Sequence, residues 1–377
     1  LAAIVAMVLL VTALLSRRLP ALTPDTPAHT RWIDGLRGIA ATLVLLNHGP
    51  LVLENLNIVP LHFSVGEADR ALLIQLGKIG VHIFFCITGF LFAGKLMSTR
   101  SVDWSEFFIK RVRRLVPAYT AAVLVALVVA GLFADLNSTF FIEAARSLPR
   151  MLSFGFADLP ILGTFDTARL LGMNWTLAYE WQFYALLPLV FALVRAVPVP
   201  VGIGIGVVSL ACSLVVAPGV WLFFAVGALA ATLASYAPPA WLRIVLKLAL
   251  AVLLVSMAVH WQVAARQQTV QGLHILALFF LLVVLRPAVL TWPPVVCAGT
   301  ISYSLYIFHL MMLYLVVGMF DRGVMAVSTL PFPAFVALLA GTTVLITLWS
   351  TFTYIAVEQR FLRPVHHVSE PLGTRPA

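Results

Sequence analysis

Residues 36–54 read LRGIAATLVLLNHGPLVLE, an apolar stretch with one arginine near its start, one histidine in its second half and one glutamate at its end. These 19 residues would rise by about 28 Å as an α-helix, close to the ~30 Å hydrocarbon core of a bilayer. The stretch therefore predicts a membrane span. Similar stretches recur, and the predicted spans are 36–54, 79–97, 116–134, 174–194, 199–216, 219–236, 244–261, 272–286, 297–319 and 332–357.

The composition supports a membrane protein. Of the 377 residues, 62% are hydrophobic and 10% are charged, whereas a soluble domain is about half apolar and a quarter charged. The net charge of +9 lies in short segments between apolar runs, which is typical of topology signals and not of a nucleic-acid-binding surface. Cys86, Cys212 and Cys297 lie inside apolar runs without the spacing of metal ligands, so we interpret them as packing residues and expect no metal.

We therefore predict an all-α fold, a polytopic membrane helix bundle of about ten core transmembrane helices. A further apolar stretch, 1–16, comes before them, and its basic residues follow the apolar run. This order favours an extra N-terminal helix over a signal-like segment. We divide the chain into the extra helix with a cytoplasmic linker (1–30), a transmembrane domain (31–364) and a disordered cytoplasmic tail (365–377).

Basic residues predict the orientation, because they concentrate on the cytoplasmic side of membrane proteins. If the segment before Asp34 is cytoplasmic, 17 of the 24 lysines and arginines fall on that side. The two longest predicted external connections are then 55–78 and 135–173. The seven basic residues on the external side would be Arg70, Lys78, Arg146, Arg150, Arg169, Arg266 and Arg322.

Arg37 and His48 are the first candidates for chemistry. They are eleven residues apart, close to three helical turns, so both lie on nearly one helix face about 16 Å apart along the axis. An ionisable residue inside a span suggests function, because burying it unpaired is costly. A neutral His48 has the chemistry of a general base. It could equally be a structural histidine bonded to a neighbouring helix.

A basic run, Lys110-Arg111-Val112-Arg113-Arg114, comes just before the predicted span 116–134. Arg111 and Arg114 could share one helix face and bind phosphate groups. The other interpretation is a topology signal or a contact with lipid headgroups.

Residues 173–188, MNWTLAYEWQFYALLP, place a carboxylate inside a span. Asn174 and Trp175 suit the external interface, and Glu180 would lie about one and a half turns deeper. A carboxylate there needs a partner or a proton. Glu180 could orient an imidazole, contact a hydroxyl substrate or pair with an arginine.

Two further stretches carry polar residues within spans. Ser302, Tyr306 and His309 follow helical spacing and form one polar stripe, which either catalysis or a structural hydrogen-bond network would explain. Residues 80–90 include Thr88-Gly89, typical of close helix packing. Glu358, near the end of the last span, we interpret as part of a helix end at the cytoplasmic face.

Taken together, these stretches resemble the acyltransferase-3 family of membrane O-acyltransferases, over about residues 31–364. The ordered blocks that carry the resemblance are Asp34-Gly-Leu-Arg37-Gly with His48, Gly80 to Phe90, Arg111-x-x-Arg114 before Pro117, and Trp175-Thr-Leu to Glu180-x-x-Phe183-Tyr184. Ser302 to His309 and Tyr354 to Pro364 add weaker support. The chain departs from the family pattern at Thr88, Thr176, His82 and after Glu358, which leaves the acceptor open.

The resemblance implies an acyl-CoA donor, acetyl-CoA by default, bound from the cytoplasm, and transfer to a hydroxyl of a sugar or glycan on the far side of a cell inner membrane. It implies His48, Arg37 and Glu180 as catalytic residues. The donor would contact Arg37, Lys110, Arg111 and Arg114. We expect the acceptor to contact Asn174, Trp175, Glu180, Tyr184 and His309.

Two questions stay open at this point. Direct transfer and transfer through an acylated enzyme would use the same residues. A polytopic transporter or flippase of a glycolipid could also use intramembrane His, Arg and Glu. A transporter has no need of a nucleotide clamp such as Arg111 and Arg114, and the chain lacks signs of inverted repeats, so we favour the acyltransferase.

Overall fold

A computed structural model gives the architecture. The structure describes residues 1–23, 27, 30–61, 63–134, 138–198, 200–202, 204, 206–208, 219–262 and 267–362. Most of the predicted span 199–216, the predicted tail 365–377 and part of the predicted linker lie outside these residues.

The described residues form α-helices joined by short connections. The helices are α1 (Ala2–Arg18), α2 (Arg31–Asn55), α3 (Glu67–Ser98), α4 (Trp104–Phe133), α5 (Ser138–Met151), α6 (Ala168–Leu171), α7 (Trp175–Ala196), α8 (Trp221–Ala230), α9 (Ala240–Val259), α10 (Gln268–Leu285), α11 (Pro293–Thr300), α12 (Ser302–Gly323), α13 (Phe332–Thr353) and α14 (Gln359–Leu362). A π-helical turn, Tyr354–Glu358, joins α13 to α14. Short 3-10 turns cover Pro20–Leu22, Ala231–Leu233, Ala288–Thr291 and Val327–Thr329.

The predicted all-α polytopic membrane bundle is confirmed. Among the described residues, eight helices are long and apolar enough to cross a membrane: α2, α3, α4, α7, α9, α10, α12 and α13 with its extension to Leu362. The α9 helix buries none of its residues, and most of its apolar side chains are exposed, while Leu250, Leu253 and Met257 pack against the bundle. Such a surface suits lipid and not water.

The helices differ from the predicted spans in two places. The predicted span 219–236 contains α8, which has 10 residues and continues only as a 3-10 turn. The predicted span 297–319 is interrupted at Ile301, between the end of α11 and the start of α12. A continuous span and an interrupted helix contain the same apolar side chains. Hydropathy alone therefore does not reveal where a helix stops or bends.

Close backbone contacts fix the centre of the bundle, where α2 packs against α3, α11 and α12. At Gly299 of α11, an added Cβ would lie 1.7 Å from the backbone oxygen of Asp34 on α2. At Gly227 of α8, it would lie 1.9 Å from the backbone oxygen of Cys86 on α3. Small residues let membrane helices approach this closely, which increases their van der Waals contact.

The α1 helix is part of the same bundle. It packs against α11 and α13 and buries Ile4, Val8 and Val11. The residues before the predicted core therefore form a helix that contributes to the packing.

The two predicted external connections carry structure of their own. The α3 helix begins at Glu67, so the connection after α2 is shorter than the predicted loop 55–78, and Arg70 pairs with Glu54 at 2.5 Å. The other connection contains α5, α6 and an antiparallel hairpin, β1 (Ile161–Leu162) with β2 (Phe165–Asp166), in which Leu162 lies opposite Phe165. These elements cover the end of the bundle where α7 begins.

Substitution of Gly299 tests the packing. We expect Gly299→Ala to destabilise the protein by about 1–3 kcal/mol, because the new methyl group would overlap backbone that cannot rotate away. The matched control is Gly341→Ala on α13, where no atom lies within 4 Å of an added Cβ. The measurement is the melting temperature of each detergent-solubilised variant. Equal melting temperatures for the two variants would contradict the close approach of α11 to α2 at Gly299.

Candidate active site

Two cavities lie at different depths along α2. The inner cavity, of about 100 Å³, is lined by Arg37 near the start of the helix. The outer cavity, of about 440 Å³, is lined by α2 residues from Val44 to Asn55 at the other end. Val81 and Tyr306 line both cavities, so these two side chains form the divide between them.

Three arginines line the inner cavity, Arg37 from α2 and Arg111 and Arg114 from α4. Among the described residues, no carboxylate lies within 4 Å of any of them. The guanidinium carbon of Arg111 lies 5.2 Å from the ring centre of Phe92 and 5.9 Å from that of Tyr184. A guanidinium over aromatic faces is held in place while its hydrogen-bond donors stay available.

Two polar atoms of the inner cavity are buried without a hydrogen-bond partner among the described residues. They are Nε of Arg111 and the hydroxyl of Ser302. Buried polar groups are normally paired. Their position in the lining indicates a cavity prepared for a polar ligand.

Two glutamates supply counter-charge to this cavity at longer range. Glu180 accepts a hydrogen bond from the hydroxyl of Tyr184, one turn further along α7, and both side chains line the cavity. Glu358, on the π-helical turn, is 4% exposed and accepts a hydrogen bond from Ser304. Both carboxylates interact electrostatically with Arg37, as does Asp34, one turn earlier on α2. The charges thus stabilise one another without forming closed ion pairs.

The outer cavity has a different character. Asn47 and His48 of α2 line it together with Lys78, Arg169 and Trp175. The side chain of His82 also lines it, stacked on Phe223 with the ring centres 3.7 Å apart. Mixed charged, amide and aromatic groups are suited to a polar ligand with apolar faces.

His48 forms a pair with His309 of α12. Nδ1 of His48 lies 2.7 Å from Nε2 of His309, and the two rings stack with centres 4.9 Å apart. Nδ1 of His309 lies 2.8 Å from the backbone oxygen of Tyr306, one turn earlier. Of the predicted polar stripe on α12, His309 therefore faces α2.

The hydroxyl of Tyr306 forms a hydrogen bond at the divide between the two cavities. The Thr176 hydroxyl donates to the backbone oxygen of Met173 at 3.0 Å. It is then free to accept a hydrogen bond from the Tyr306 hydroxyl at 2.9 Å. A tie between α12 and α7 thus crosses the boundary between the cavities.

The structure brings together most of the predicted site residues, but not all. Arg37, Arg111, Arg114, Glu180 and Tyr184 line the inner cavity, and His48 and Trp175 line the outer one. Glu180 and Tyr184, which were expected at the acceptor, therefore share a cavity with the predicted donor residues.

Three predicted residues line neither cavity. Lys110 is exposed and pairs with Glu106 at 2.5 Å on the surface of α4. Asn174 is 6% exposed, and its side-chain nitrogen lies 3.5 Å from the Tyr119 hydroxyl. His309 lies behind His48 and is 1% exposed.

Glu358 is a buried carboxylate beside the site whose position sequence reasoning missed. The sequence predicts a helix end at the cytoplasmic face, but a π-helical turn directs this carboxyl group into the bundle. Such turns are frequent at functional sites. The sequence from Tyr354 to Glu358 carries no signal that marks a π turn, so the inward position of this carboxylate could not be predicted.

Comparisons with known proteins identify a family for the chain. A family model described as an acyltransferase domain matches residues 30–351. YrhL of Bacillus subtilis (strain 168), provisionally named a peptidoglycan O-acetyltransferase, is 30% identical over 168 residues, which cover 43% of this chain and 24% of that protein. No solved structure matches the chain.

Two further relatives carry similar names. The peptidoglycan O-acetyltransferase OatA of Listeria monocytogenes is 28% identical over 163 residues, 41% of this chain and 23% of that protein. The O-acetyltransferase OatA of Staphylococcus aureus (strain NCTC 8325 / PS 47) is 28% identical over 196 residues, 49% of this chain and 29% of that protein. The matches span about a quarter of the length of these curated relatives.

Replacement of Glu358 tests its buried hydrogen bond. We expect Glu358→Leu to destabilise the protein by about 1–3 kcal/mol, because the Ser304 hydroxyl would lose its acceptor. Glu358→Gln keeps an acceptor of similar shape and should cost less. The melting temperatures of the two variants in detergent check this order, and an equal loss in both would show that the hydrogen bond does not contribute.

Proposed function

This chain belongs to the acyltransferase-3 family, and on that premise we propose that it is a multi-pass inner-membrane O-acetyltransferase. It would take an acetyl group from cytoplasmic acetyl-CoA and transfer it to a hydroxyl of a glycan on the far side of the membrane. The observation that carries the proposal is the pair of cavities that meet at Val81 and Tyr306, one rich in arginine and one containing His48.

The inner cavity is the candidate donor site. Coenzyme A carries phosphate groups on its nucleotide end, and guanidinium groups bind phosphates in bidentate fashion. Arg37, Arg111 and Arg114 form no close ion pair with a described carboxylate, so an incoming phosphate need not displace one. The start of α2 and α4, where they lie, would be the cytoplasmic end by the distribution of basic residues.

The size of the inner cavity suits the pantetheine arm of the donor. The cavity has a volume of only about 100 Å³, so the nucleotide would stay near its mouth while the pantetheine arm enters. Arg37 and His48 are about 16 Å apart along α2, comparable with the reach of that arm. The thioester would then arrive at the divide, close to His48.

Ser302 suits the arm better than the reacting carbonyl group. It lies seven residues before His309, or about 10 Å along α12. An oxyanion donor must lie about 3 Å from the developing charge. The unpartnered Ser302 hydroxyl is therefore a candidate for an amide of the pantetheine arm, and Asn47, next to His48, for the carbonyl oxygen.

The outer cavity is the candidate acceptor site. Lys78, Arg169 and Asn47 offer hydrogen bonds to hydroxyl groups, and Trp175 offers a flat apolar face to a sugar ring. The named activity of the relatives, acetylation of peptidoglycan, supports a carbohydrate acceptor.

The reaction would use His48 as general base. The imidazole takes the proton of the acceptor hydroxyl as its oxygen attacks the thioester carbonyl. The carbon–sulfur bond then breaks, and the CoA thiolate takes up the proton that His48 holds. The products are an acetyl ester and free CoA, and His48 returns to its neutral form.

Labelled acetyl-CoA added to inverted membrane vesicles tests the function. We expect label to appear in a glycan or glycolipid with the wild-type protein and to fall by at least 100-fold with His48→Ala. The matched control is His274→Ala, which removes a histidine of α10 that lines neither cavity. It should transfer label at the wild-type rate.

The outcomes separate the alternatives. Equal transfer by wild type and His48→Ala would remove His48 from the mechanism. If neither transfers label and neither binds CoA, the result would favour a glycolipid transporter or flippase.

A binding measurement tests the donor site by itself. We expect Arg111→Ala to weaken acetyl-CoA binding at least tenfold, or about 1.4 kcal/mol, because a phosphate loses a charged partner. Binding of acetyl-pantetheine, which has no nucleotide, should change little. The control is Arg243→Ala on the peripheral helix α9, which should leave acetyl-CoA binding unchanged. Equal losses for both ligands with Arg111→Ala would contradict a phosphate contact.

A further inference from the structure

Both ring nitrogens of His309 are engaged, although its side chain lines neither cavity. It is 1% exposed, whereas His48 is partly exposed and lines the outer cavity. A buried imidazole that contacts a cavity-lining imidazole can influence chemistry in the cavity through that neighbour.

The hydrogen bonds assign the protons of this pair. A backbone oxygen can only accept, so Nδ1 of His309, 2.8 Å from the Tyr306 oxygen, carries the proton. In a neutral His309, Nε2 then holds the lone pair. It can only accept from Nδ1 of His48, 2.7 Å away. This leaves the lone pair of a neutral His48 on Nε2, the other nitrogen of the ring.

The opposite arrangement would require a buried cation. If His309 were charged, it would donate from both nitrogens, and His48 would carry its proton on Nε2. Among the described residues no carboxylate lies within 4 Å of His309 to compensate such a charge. An uncompensated cation at the centre of a membrane bundle is costly.

We propose that His309 is a positioning residue, which fixes the tautomer of His48 so that Nε2 of His48 is the unprotonated nitrogen offered to the acceptor hydroxyl. This inference rests on the proposed function. When Nε2 takes the hydroxyl proton, the new imidazolium still donates from Nδ1 to His309. His309 therefore also stabilises the charge that forms, and it passes no atom to substrate. The proton later leaves Nε2 of His48 for the CoA thiolate.

Two substitutions of similar shape separate positioning from packing. His309→Gln keeps an oxygen that can accept from Nδ1 of His48. His309→Met fills a similar volume but has no comparable acceptor, and Met311 and Met312 are already buried in the same helix. The maximal transfer rate and the KM for acetyl-CoA are measured for both in the vesicle assay, with the melting temperature of each variant.

We expect His309→Met to lower the maximal rate about 100-fold with an unchanged KM, and His309→Gln to stay within about tenfold of the wild type. The control is His274→Met on α10, which should keep the wild-type rate. Combining His309→Met with His48→Ala should lower the rate no further than His48→Ala alone, because His309 acts only through His48.

The results separate the inference from the function on which it rests. Equal rates for His309→Met and His274→Met would overturn the positioning role, as would an equal loss of rate with Gln and Met at matched melting temperatures. If the Met variant does not fold, the Gln variant decides: a rate within tenfold supports the role, and a loss beyond 100-fold overturns it. If His48→Ala transfers as fast as wild type, the proposed function falls as well.

Discussion

Burying an arginine in a membrane bundle without water or a counter-charge costs several kcal/mol, and this chain gathers three arginines around one cavity. The positions of the carboxylates around the inner cavity reduce that cost. Glu180 and Glu358 approach closely enough to act on Arg37, but Tyr184 and Ser304 occupy the carboxylates with hydrogen bonds. The carboxylates thus stabilise the arginines without forming close ion pairs that would block a ligand. A cavity in which cations are tolerated but not neutralised has the electrostatics that an anionic ligand requires.

Backbone packing positions the groups that carry this charge. Without a hydrophobic driving force between helices, a membrane bundle relies on close van der Waals contact. Gly299 lets α11 approach α2 at Asp34, one turn before Arg37. On the far half of α2, α12 packs alongside and brings His309 within hydrogen-bond distance of His48. The register of α2 against α11 and α12 therefore determines the positions of both Arg37 and His48. A shift of α2 along its axis would displace both side chains together.

Much of this arrangement could be predicted from the sequence, since it depends on periodicity. The spacing of Arg37 and His48 predicts one helix face at two depths, and the structure has that arrangement. The spacing of Ser302, Tyr306 and His309 predicts one inward stripe, and the structure buries all three inside the bundle. What the sequence could not provide is the relation between helices. Lys110 and Arg111 are neighbours in the same basic run, but Lys110 points to the surface of α4, where it pairs with Glu106. Glu358 enters the core only because a π turn redirects the chain.

Tyr306 joins the two halves of the site through different atoms. Its backbone oxygen holds His309, and its hydroxyl reaches Thr176 across the divide. A thioester that enters from the inner cavity must pass this side chain or Val81, because the two line both cavities. Rotation of the Tyr306 ring would open that passage, and it would release only the hydroxyl. The backbone oxygen would stay with His309, so the imidazole pair would keep its protons in place while the divide is open. Under the proposed function, Tyr306 can therefore keep the two cavities separate until the donor is bound, without disturbing the hydrogen bond that holds the histidine pair.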